Sequence, residues 1–165
     1  MTDFAERIDA TDLEIVSLLQ EDARVSNAEL ARRIGMTPSG ALARMRRLEE
    51  RGIVQGYVPQ LDPQVLGLGL LAFVFLSTSE TLADPAVAEQ LASFPEVLEI
   101  HDIAGDACYL LKVRCKDHAG LHALLRERIG SLAGIRSTNT VIVLKTFKET
   151  AALPLPSAPE PGDPQ

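Results

Sequence analysis

Apolar residues near the start of the chain recur at helical spacing. Ile8, Ile15, Val16 and Leu19 fall on one stripe of a helical wheel, which predicts a first helix over residues 9–20. The acidic residues at the beginning of this segment suit the partial positive charge of a helix N-terminus. The chain therefore opens with an amphipathic helix that needs a partner for its apolar side.

A short second helix and a tight turn are predicted next. Ser26-Asn27-Ala28-Glu29 has the pattern of a capping box, in which serine and glutamate bond the free amides at a helix start. This pattern favours a helix over residues 27–34. Gly35 then stands where a helix often ends in a left-handed residue.

The third helix is predicted to begin within three residues of that turn. Thr37-Pro38 supplies an N-cap followed by proline at the first helical position. The helix should run to about Arg51, with Leu42, Met45 and Leu48 inward. Gly52 ends it, and a strand-like stretch follows over residues 53–58.

Two short helices joined by a glycine turn, the second of them capped and rich in arginine, are typical of a helix-turn-helix that reads the major groove of double-stranded DNA. Small residues at the start of the second helix permit close approach to the bases, and arginines bind phosphates or guanine edges. The predicted DNA-binding residues are Thr37, Ser39, Gly40, Ala43, Arg44, Arg46, Arg47 and Arg51.

The pattern after residue 60 changes to alternating strands and helices. Strands are predicted over residues 68–77, 97–103, 108–115 and 135–147, with one helix beginning at Asp84-Pro85 and another at Asp117. The order strand, helix, strand, strand, helix, strand is that of a ferredoxin-like βαββαβ module, so the fold class is α+β. Helices should cover one face of its sheet. The other face, with Phe73 and Phe75, should be apolar and should pack on a second subunit.

These elements divide the chain into four segments. Residues 1–60 form the helix-turn-helix domain, 61–67 a linker, and 68–150 the ferredoxin-like domain. Residues 151–165 contain five prolines and no periodic apolar pattern, which predicts a disordered tail.

Charge is distributed unevenly over the chain, whose net charge is −7. Residues 1–22 hold one arginine against seven acids, a net of −6, whereas residues 23–51 hold seven arginines against three acids, a net of +4. A phosphate backbone senses the field within about a Debye length, so the local value matters more than the total. The predicted third helix lies in this basic segment.

Several classes of protein are disfavoured. The longest apolar run covers twelve positions, too few for a membrane span, and no secretion signal is evident, so we expect a cytoplasmic protein. No nucleotide loop or nucleophile–base signature indicates an enzyme, and no cofactor is expected. His118 and His122 are spaced to share a metal, but they lack a third ligand and are interpreted as a solvent-facing pair.

An ordered series of short matches resembles the Lrp/AsnC family of bacterial and archaeal transcription regulators. It spans about residues 8–150. The matching stretches include Leu19-Gln20-Glu21-Asp22-Ala23-Arg24, Arg44-Met45-Arg46-Arg47-Leu48-Glu49 with Gly52-Ile53, Leu61-Asp62-Pro63 with Gly67, Pro95-Glu96-Val97, Gly105-Asp106 and Tyr109-Leu110-Leu111.

The resemblance implies a winged helix-turn-helix joined to an effector and oligomerisation domain of the RAM type. It also implies homodimers that assemble through the sheets, often to octamers, and a small effector that is usually an amino acid. In the family the effector lies at subunit contacts near the Gly-Asp hairpin and the final strand. The corresponding residues here are Gly105, Asp106, Ala107 and Cys108, with Thr138 and Thr140.

One position departs from the family pattern. Cys108 stands before Tyr109 where the family commonly has an aspartate. A carboxylate there could hold the ammonium group of an effector, so its loss indicates altered ligand choice or a weak response; alternatively, the cysteine fills a small apolar site. The predicted function is a sequence-specific, effector-responsive DNA-binding regulator, and the alternative is an architectural DNA-binding protein that ignores small molecules.

Overall fold

The structure is a computed structural model, and it describes residues 8–79 and 85–156. The chain divides into two compact units. One consists of residues up to Pro59 together with those from Thr150 onward, and the other is Gln60–Glu149. Each unit has its own cluster of buried apolar side chains, and each is described separately below.

Three helices make up the first unit: α1 (Ala10–Glu21), α2 (Asn27–Arg33) and α3 (Pro38–Glu50). Helices α2 and α3 begin at the capping residues that the sequence predicts, Ser26 and Thr37, and α1 is capped by Asp9, which was predicted only as an acid of its first turn. Asp9, Ser26 and Thr37 accept hydrogen bonds from the amides of Asp12, Glu29 and Gly40 at 2.8, 3.2 and 3.2 Å. These side chains satisfy amides that have no partner inside the helix, which fixes where each helix starts.

The capping box of α2 forms only in part. Ser26 caps the Glu29 amide as predicted, but the Glu29 carboxylate bonds to Arg32 and Arg33 at 2.7–3.0 Å. The turn to α3 follows the prediction more closely, since Gly35 has a φ of 65°. That conformation is unfavourable for residues with a Cβ and is readily adopted by glycine.

Apolar side chains from all three helices form the core of this unit. The fully buried members are Ile15, Leu30, Ala31, Ala41 and Leu48, and the predicted inward residues Val16, Leu19 and Met45 pack against them while partly exposed. The predicted stripes on α1 and α3 therefore face one another across the unit.

The predicted strand over residues 53–58 is wrong. The amides of Ile53 and Val54 both bond to the carbonyl of Leu48, and their side chains pack against the helical core. Residues 55–62 have no regular structure, although the Tyr57 hydroxyl donates to Glu49 Oε1 at 3.0 Å. A strand needs a neighbouring strand for its backbone groups, and the described part of this unit offers none.

The second unit contains the four strands and two helices that the sequence predicts. They are β1 (Leu70–Thr78), α4 (Pro85–Ala92), β2 (Val97–Asp102), β3 (Tyr109–Cys115), α5 (His118–Ala123) and β4 (Ile135–Ile142). Helix α5 continues into a π-helical segment, Leu124–Ile129. The strands form one antiparallel sheet in the order β2-β3-β1-β4, so the βαββαβ prediction is confirmed.

The two faces of the sheet differ in what they carry. Ala72, Val74 and Leu76 of β1 are fully buried and pack in one cluster with residues of the helices. The opposite face carries Phe73 and Phe75, paired with Val141 and Asn139 of β4. We call this second face the open face.

The prediction that the open face is apolar is correct only for its centre. Lys112 and Arg114 of β3 lie on it, with side chains only 16% and 15% exposed. They bond to the carboxylates of Glu99 and Glu149. Strand alternation places these charged residues beside the phenylalanines, and the sequence pattern of β1 alone does not reveal them.

Several predicted boundaries shift. The final strand ends at Ile142 instead of residue 147, because its partner β1 begins at Leu70 and leaves later residues of β4 without a strand to pair with. Beyond Ile142, the Val143 amide still bonds to the Leu71 carbonyl at 2.9 Å. Asp84, the predicted cap of α4, lies outside the described residues. The predicted tail is described only to residue 156. Over that stretch it has no helix or strand, and Leu153 bonds to the Gln20 side chain through both its amide and its carbonyl.

Candidate nucleic-acid and effector sites

Helix α3 presents a small, exposed surface at its N-terminal end. The Thr37 hydroxyl caps the helix and lies 3.3 Å from the Ser39 hydroxyl. Ser39 and Ala43 are both exposed, and their spacing of four residues places them on the same side of the helix. Gly40 is half-buried, and a Cβ at this position would lie 3.1–3.2 Å from the side chains of Met36 and Thr37. The predicted base-reading residues thus share the first turns of α3.

Two of the predicted DNA-binding arginines are occupied by ion pairs. Arg44 Nη1 donates to Asp9 Oδ2 at 2.6 Å and to Asp12 Oδ1 at 2.7 Å, and Arg47 Nη2 donates to Asp12 Oδ2 at 2.7 Å. We call Asp9, Asp12, Arg44 and Arg47 the α1–α3 cluster. Its geometry ties α3 to α1 and leaves Arg44 only 26% exposed.

Asp12 is the centre of this cluster. Its side chain is 1% exposed, and both carboxylate oxygens accept a hydrogen bond from a guanidinium. For Asp9, burial is the largest single influence and raises the pKa, but the hydrogen bonds from Arg44 and the Asp12 amide, together with the charges of Arg44 and Arg47, hold the pKa below the ordinary value. Sequence reasoning placed Asp12 only as a favourable acid at the N-terminus of α1 and gave it no part in holding α3. The signal was the pairing of two acids on α1 with two basic positions three apart on α3.

The other two predicted arginines, Arg46 on α3 and Arg51 directly after it, are available. Both are exposed, and within residues 8–79 and 85–156 neither guanidinium makes a hydrogen bond or an ion pair. By contrast, Arg32 and Arg33 of α2 are held by Glu29, which lowers the Glu29 pKa to about 2 through the hydrogen bond from Arg32 first and that from Arg33 second. The free positive charge of α3 is therefore concentrated on Arg46 and Arg51.

A cavity of about 580 Å³ lies on the open face beside the hairpin between β2 and β3. It brings together four of the predicted effector residues, namely Gly105, Asp106, Ala107 and Thr138. The remaining lining residues were not predicted: Phe75, Ser77, Ile103, Ser137 and Asn139. We call this space the effector cavity. Ser77 Oγ donates to the Asp106 carbonyl at 3.1 Å and so fixes the hairpin against β1.

The other two predicted effector residues do not line this cavity. Cys108 packs against the buried core, with its Sγ 3.3 Å from Thr78 Oγ1, and that hydrogen bond lowers the thiol pKa. Thr140 pairs with Val74 further along β4. Among the residues that the structure describes, Asp106 is the one ionisable side chain in the lining of the effector cavity.

The described residues hold neither a metal site nor a membrane-spanning helix. No three His, Cys, Asp or Glu side chains among them are placed to hold a metal ion, and neither His118 nor His122 joins such a group. None of the helices in those same ranges is long and apolar enough to cross a membrane.

Two family models match the chain over nearly its whole described length. Residues 8–55 match a winged helix-turn-helix DNA-binding model, and residues 71–153 match the Lrp/AsnC ligand binding domain. The chain belongs to the Lrp/AsnC family. It is a DNA-binding transcription regulator of that family and not an enzyme, and the resemblance inferred from its sequence is confirmed.

Individual relatives agree with this assignment. The leucine-responsive regulatory protein of Klebsiella pneumoniae is 38% identical over 150 residues, covering 88% of this chain and 90% of that protein. A transcriptional regulator of Neisseria meningitidis solved in complex with L-Met matches with a TM-score of 0.82 and 34% identity, covering 89% of this chain and 96% of that one. The feast or famine regulatory protein of Mycobacterium tuberculosis, complexed with L-methionine, matches with a TM-score of 0.79 and 35% identity, covering 88% of this chain and 97% of that one.

Proposed function

We propose that this Lrp/AsnC regulator reads specific sequences of double-stranded DNA with the N-terminal half of α3. Thr37, Ser39, Gly40 and Ala43 form the surface that approaches base edges, because small residues let a helix enter the major groove closely. The observation that carries this proposal is the division of the α3 arginines. Arg46 and Arg51 are free for DNA phosphates, whereas Arg44 and Arg47 are bonded to Asp12 and orient the helix.

Salt-dependent DNA binding tests this division. Removing one phosphate-binding arginine should reduce the slope of log K against log salt by about 0.9. Arg46→Ala and Arg51→Ala should each show that reduction with unchanged helix content, while Arg24→Ala, which removes an exposed arginine outside α3, should keep the wild-type slope. Wild-type slopes in both α3 variants would remove these arginines from the interface. Selection of binding sequences from a random pool would show whether the readout is specific.

We further propose that the effector cavity binds an amino acid. Its volume lies within the usual range for small-ligand sites. The Asp106 carboxylate is suited to the ammonium group, and Phe75 and Ile103 offer apolar surface to a side chain. The structural relatives solved with L-methionine support an amino-acid ligand. Cys108 packs on the core beside Thr78, so we assign it a packing role and not contact with the ligand.

A thermal-shift screen across the twenty amino acids tests the effector proposal. A ligand that binds only the folded state raises stability by RT ln(1 + [L]/Kd). At least one amino acid should raise the melting temperature of the wild type, and Asp106→Asn should abolish that rise without lowering the melting temperature of the free protein. A flat response of the wild type to all twenty would favour the architectural alternative.

Assembly through the open face completes the proposal. Phe73, Phe75 and Leu110 are only half-buried there, and Val141 is 50% exposed. Covering them with the same face of a second copy would form a homodimer, and dimers would assemble to an octamer in the cytoplasm. Sedimentation of the wild type against Phe73→Glu tests this, because a charge at the centre of the face should release monomers. A monomeric wild type would contradict it.

A further inference from the structure

A second cavity, of about 450 Å³, lies between the end of α5 and β4. Its lining, taken from the described part of the chain, contains two arginines and a histidine but no acidic side chain: His122, Leu125, Arg126, Gly130, Ile135, Arg136, Ser137 and Thr138. We call this space the basic cavity. Its composition is unusual in a chain whose net charge is −7, and nothing in the proposed reading of DNA or of an amino acid makes use of it.

The π-helical segment supplies one side of the basic cavity, through Leu125, Arg126 and the following Gly130. The Gly130 amide bonds to the carbonyl five residues earlier, that of Leu125, at 2.9 Å. A Cβ on Gly130 would lie only 2.9 Å from that same carbonyl oxygen. The wide π-helical turn therefore needs a glycine as its last residue. The extra residue places Ile129 in the core, and Arg128 turns to Glu96 at 2.6 Å and to the Phe94 ring at 4.2 Å.

Arg126 and Arg136 are not neutralised by the protein. In the described ranges of the chain neither guanidinium has a hydrogen bond or an ion pair, whereas the neighbouring Arg128 has Glu96. Like charges that share one concave surface repel each other unless an anion lies between them. A guanidinium also offers a rigid fork of donors that matches phosphate oxygens.

We propose that the basic cavity is a binding site for a small phosphate-bearing anion. Arg126 and Arg136 bind the phosphate oxygens, and the hydroxyl of Thr138, which lies on the helix-covered side of β4 opposite Leu76, donates a further hydrogen bond. Leu125 and Ile135 provide apolar surface for the remainder of the ligand. The site is a concavity of the size that small ligands occupy, which favours a free anion over the backbone of a DNA duplex.

Strand β4 connects this site to the effector cavity. Ser137 and Thr138 line both cavities, and consecutive side chains of a strand point to opposite faces. An anion that fixes Thr138 therefore alters a residue that also lines the effector cavity. This coupling rests on the proposed effector function, whereas anion binding itself does not.

Calorimetric titration of the full chain with pyrophosphate, at ionic strength held constant with chloride, tests the site. Saturable binding should occur, and Arg126→Gln and Arg136→Gln should each weaken it about tenfold or more, as expected when a hydrogen bond between charged groups is removed. Arg24→Gln is the matched control, because it removes one exposed arginine from the other unit and should bind pyrophosphate like the wild type. Circular dichroism spectra of the variants should match that of the wild type.

Three results would overturn the proposal. The first is absence of saturable binding by the wild type, and the second is equal weakening in Arg24→Gln and in the two cavity variants. The third is a loss of DNA affinity in Arg126→Gln and Arg136→Gln with pyrophosphate binding unchanged, which would make the cavity a DNA-binding surface.

Coupling is measured separately, by repeating the amino-acid thermal-shift screen with and without saturating pyrophosphate. Because linkage is reciprocal, a shift in amino-acid affinity must match the shift in pyrophosphate affinity. Independent titrations would refute the coupling, and a flat amino-acid screen beside normal pyrophosphate binding would refute the effector proposal alone.

Discussion

The α1–α3 cluster and a second cluster on the open face contain the same groups, two carboxylates and two cations, in opposite arrangements. In the α1–α3 cluster an acid is buried: the Asp12 side chain is 1% exposed, whereas the side chains of Arg44 and Arg47 are 26% and 48% exposed. In the sheet-face cluster, formed by Glu99, Lys112, Arg114 and Glu149, the cations are 15–16% exposed under acids that are 45–46% exposed.

This difference indicates different roles. A buried carboxylate whose oxygens are both bonded to guanidinium groups is destabilising if either side is removed, so it fixes the position of one helix on another. Half-exposed carboxylates keep much of their hydration and contribute little by themselves. We therefore expect the α1–α3 cluster to hold the DNA-reading helix in place, and the sheet-face cluster to gain strength only when a second surface covers it.

Asp12→Asn should have the largest effect. The substitution keeps the size of the side chain but leaves Arg44 and Arg47 without the buried negative charge. We expect a loss of about 2–3 kcal/mol in the first unit, at the low end for a broken buried pair because both guanidinium groups can partly rehydrate. Native-state hydrogen exchange of α1 and α3 amides measures it.

Glu14→Gln is the matched control for that substitution, since it changes an exposed acid to its amide on the same helix. Exchange rates in this control should equal those of the wild type. Equal protection of α3 in Asp12→Asn and in the wild type would show that the α1–α3 cluster does not hold the helix.

Lys112→Met should have a smaller effect. Glu99 and Glu149 lose their closest cation but remain nearly half exposed and solvated, so we expect a change of about 1 kcal/mol or less in the isolated subunit. Exchange of β1 and β3 amides measures it, with Lys116→Met, an exposed lysine in the loop after β3, as control. A loss as large as that of Asp12→Asn would remove the contrast between the clusters.

Acid titration should show the sheet-face cluster directly. Hydrogen bonds from Lys112 lower the pKa of both Glu99 and Glu149 below the ordinary 4.5. A depressed folded-state pKa stabilises the fold above the unfolded value, and this contribution disappears as pH falls through the folded value. Carboxyl NMR shifts should place both midpoints below 4.5, and Lys112→Met should raise them. Unchanged midpoints in the variant would mean that the ion pairs do not persist in solution.

Glu29 should show the smallest effect on stability. Hydrogen bonds from Arg32 and then Arg33 lower its pKa to about 2, although the side chain is 36% exposed and open to solvent screening. Its carboxyl NMR signal should stay in the ionised position until about pH 2, and Arg32→Gln should move the midpoint upward. Stability should scarcely change in that variant, because exposed ion pairs contribute little. A midpoint near 4.5 in the wild type would contradict the pairing.

Local signals predicted most of the fold. The caps at Ser26 and Thr37 and the left-handed Gly35 lie where the sequence indicated, because capping depends on residues three positions apart. The order of strands and helices after residue 60 was also correct. Residues 53–58 were misinterpreted because an apolar run adjacent to a helix can pack on that helix as readily as it can pair with a strand.

By itself, the sequence determined the helices of the first unit, the βαββαβ order of the second and the concentration of arginine on α3, since periodicity, capping and charge count are properties of short stretches. Only the tertiary structure decided which of those arginines is free. Arg44 and Arg47 meet Asp12 across 32 and 35 residues of chain, and that meeting depends on how α1 packs against α3. The same holds for the two cavities, because Ser137 and Thr138 join Asp106 on one side and Arg126 on the other only after β4 has paired with β1.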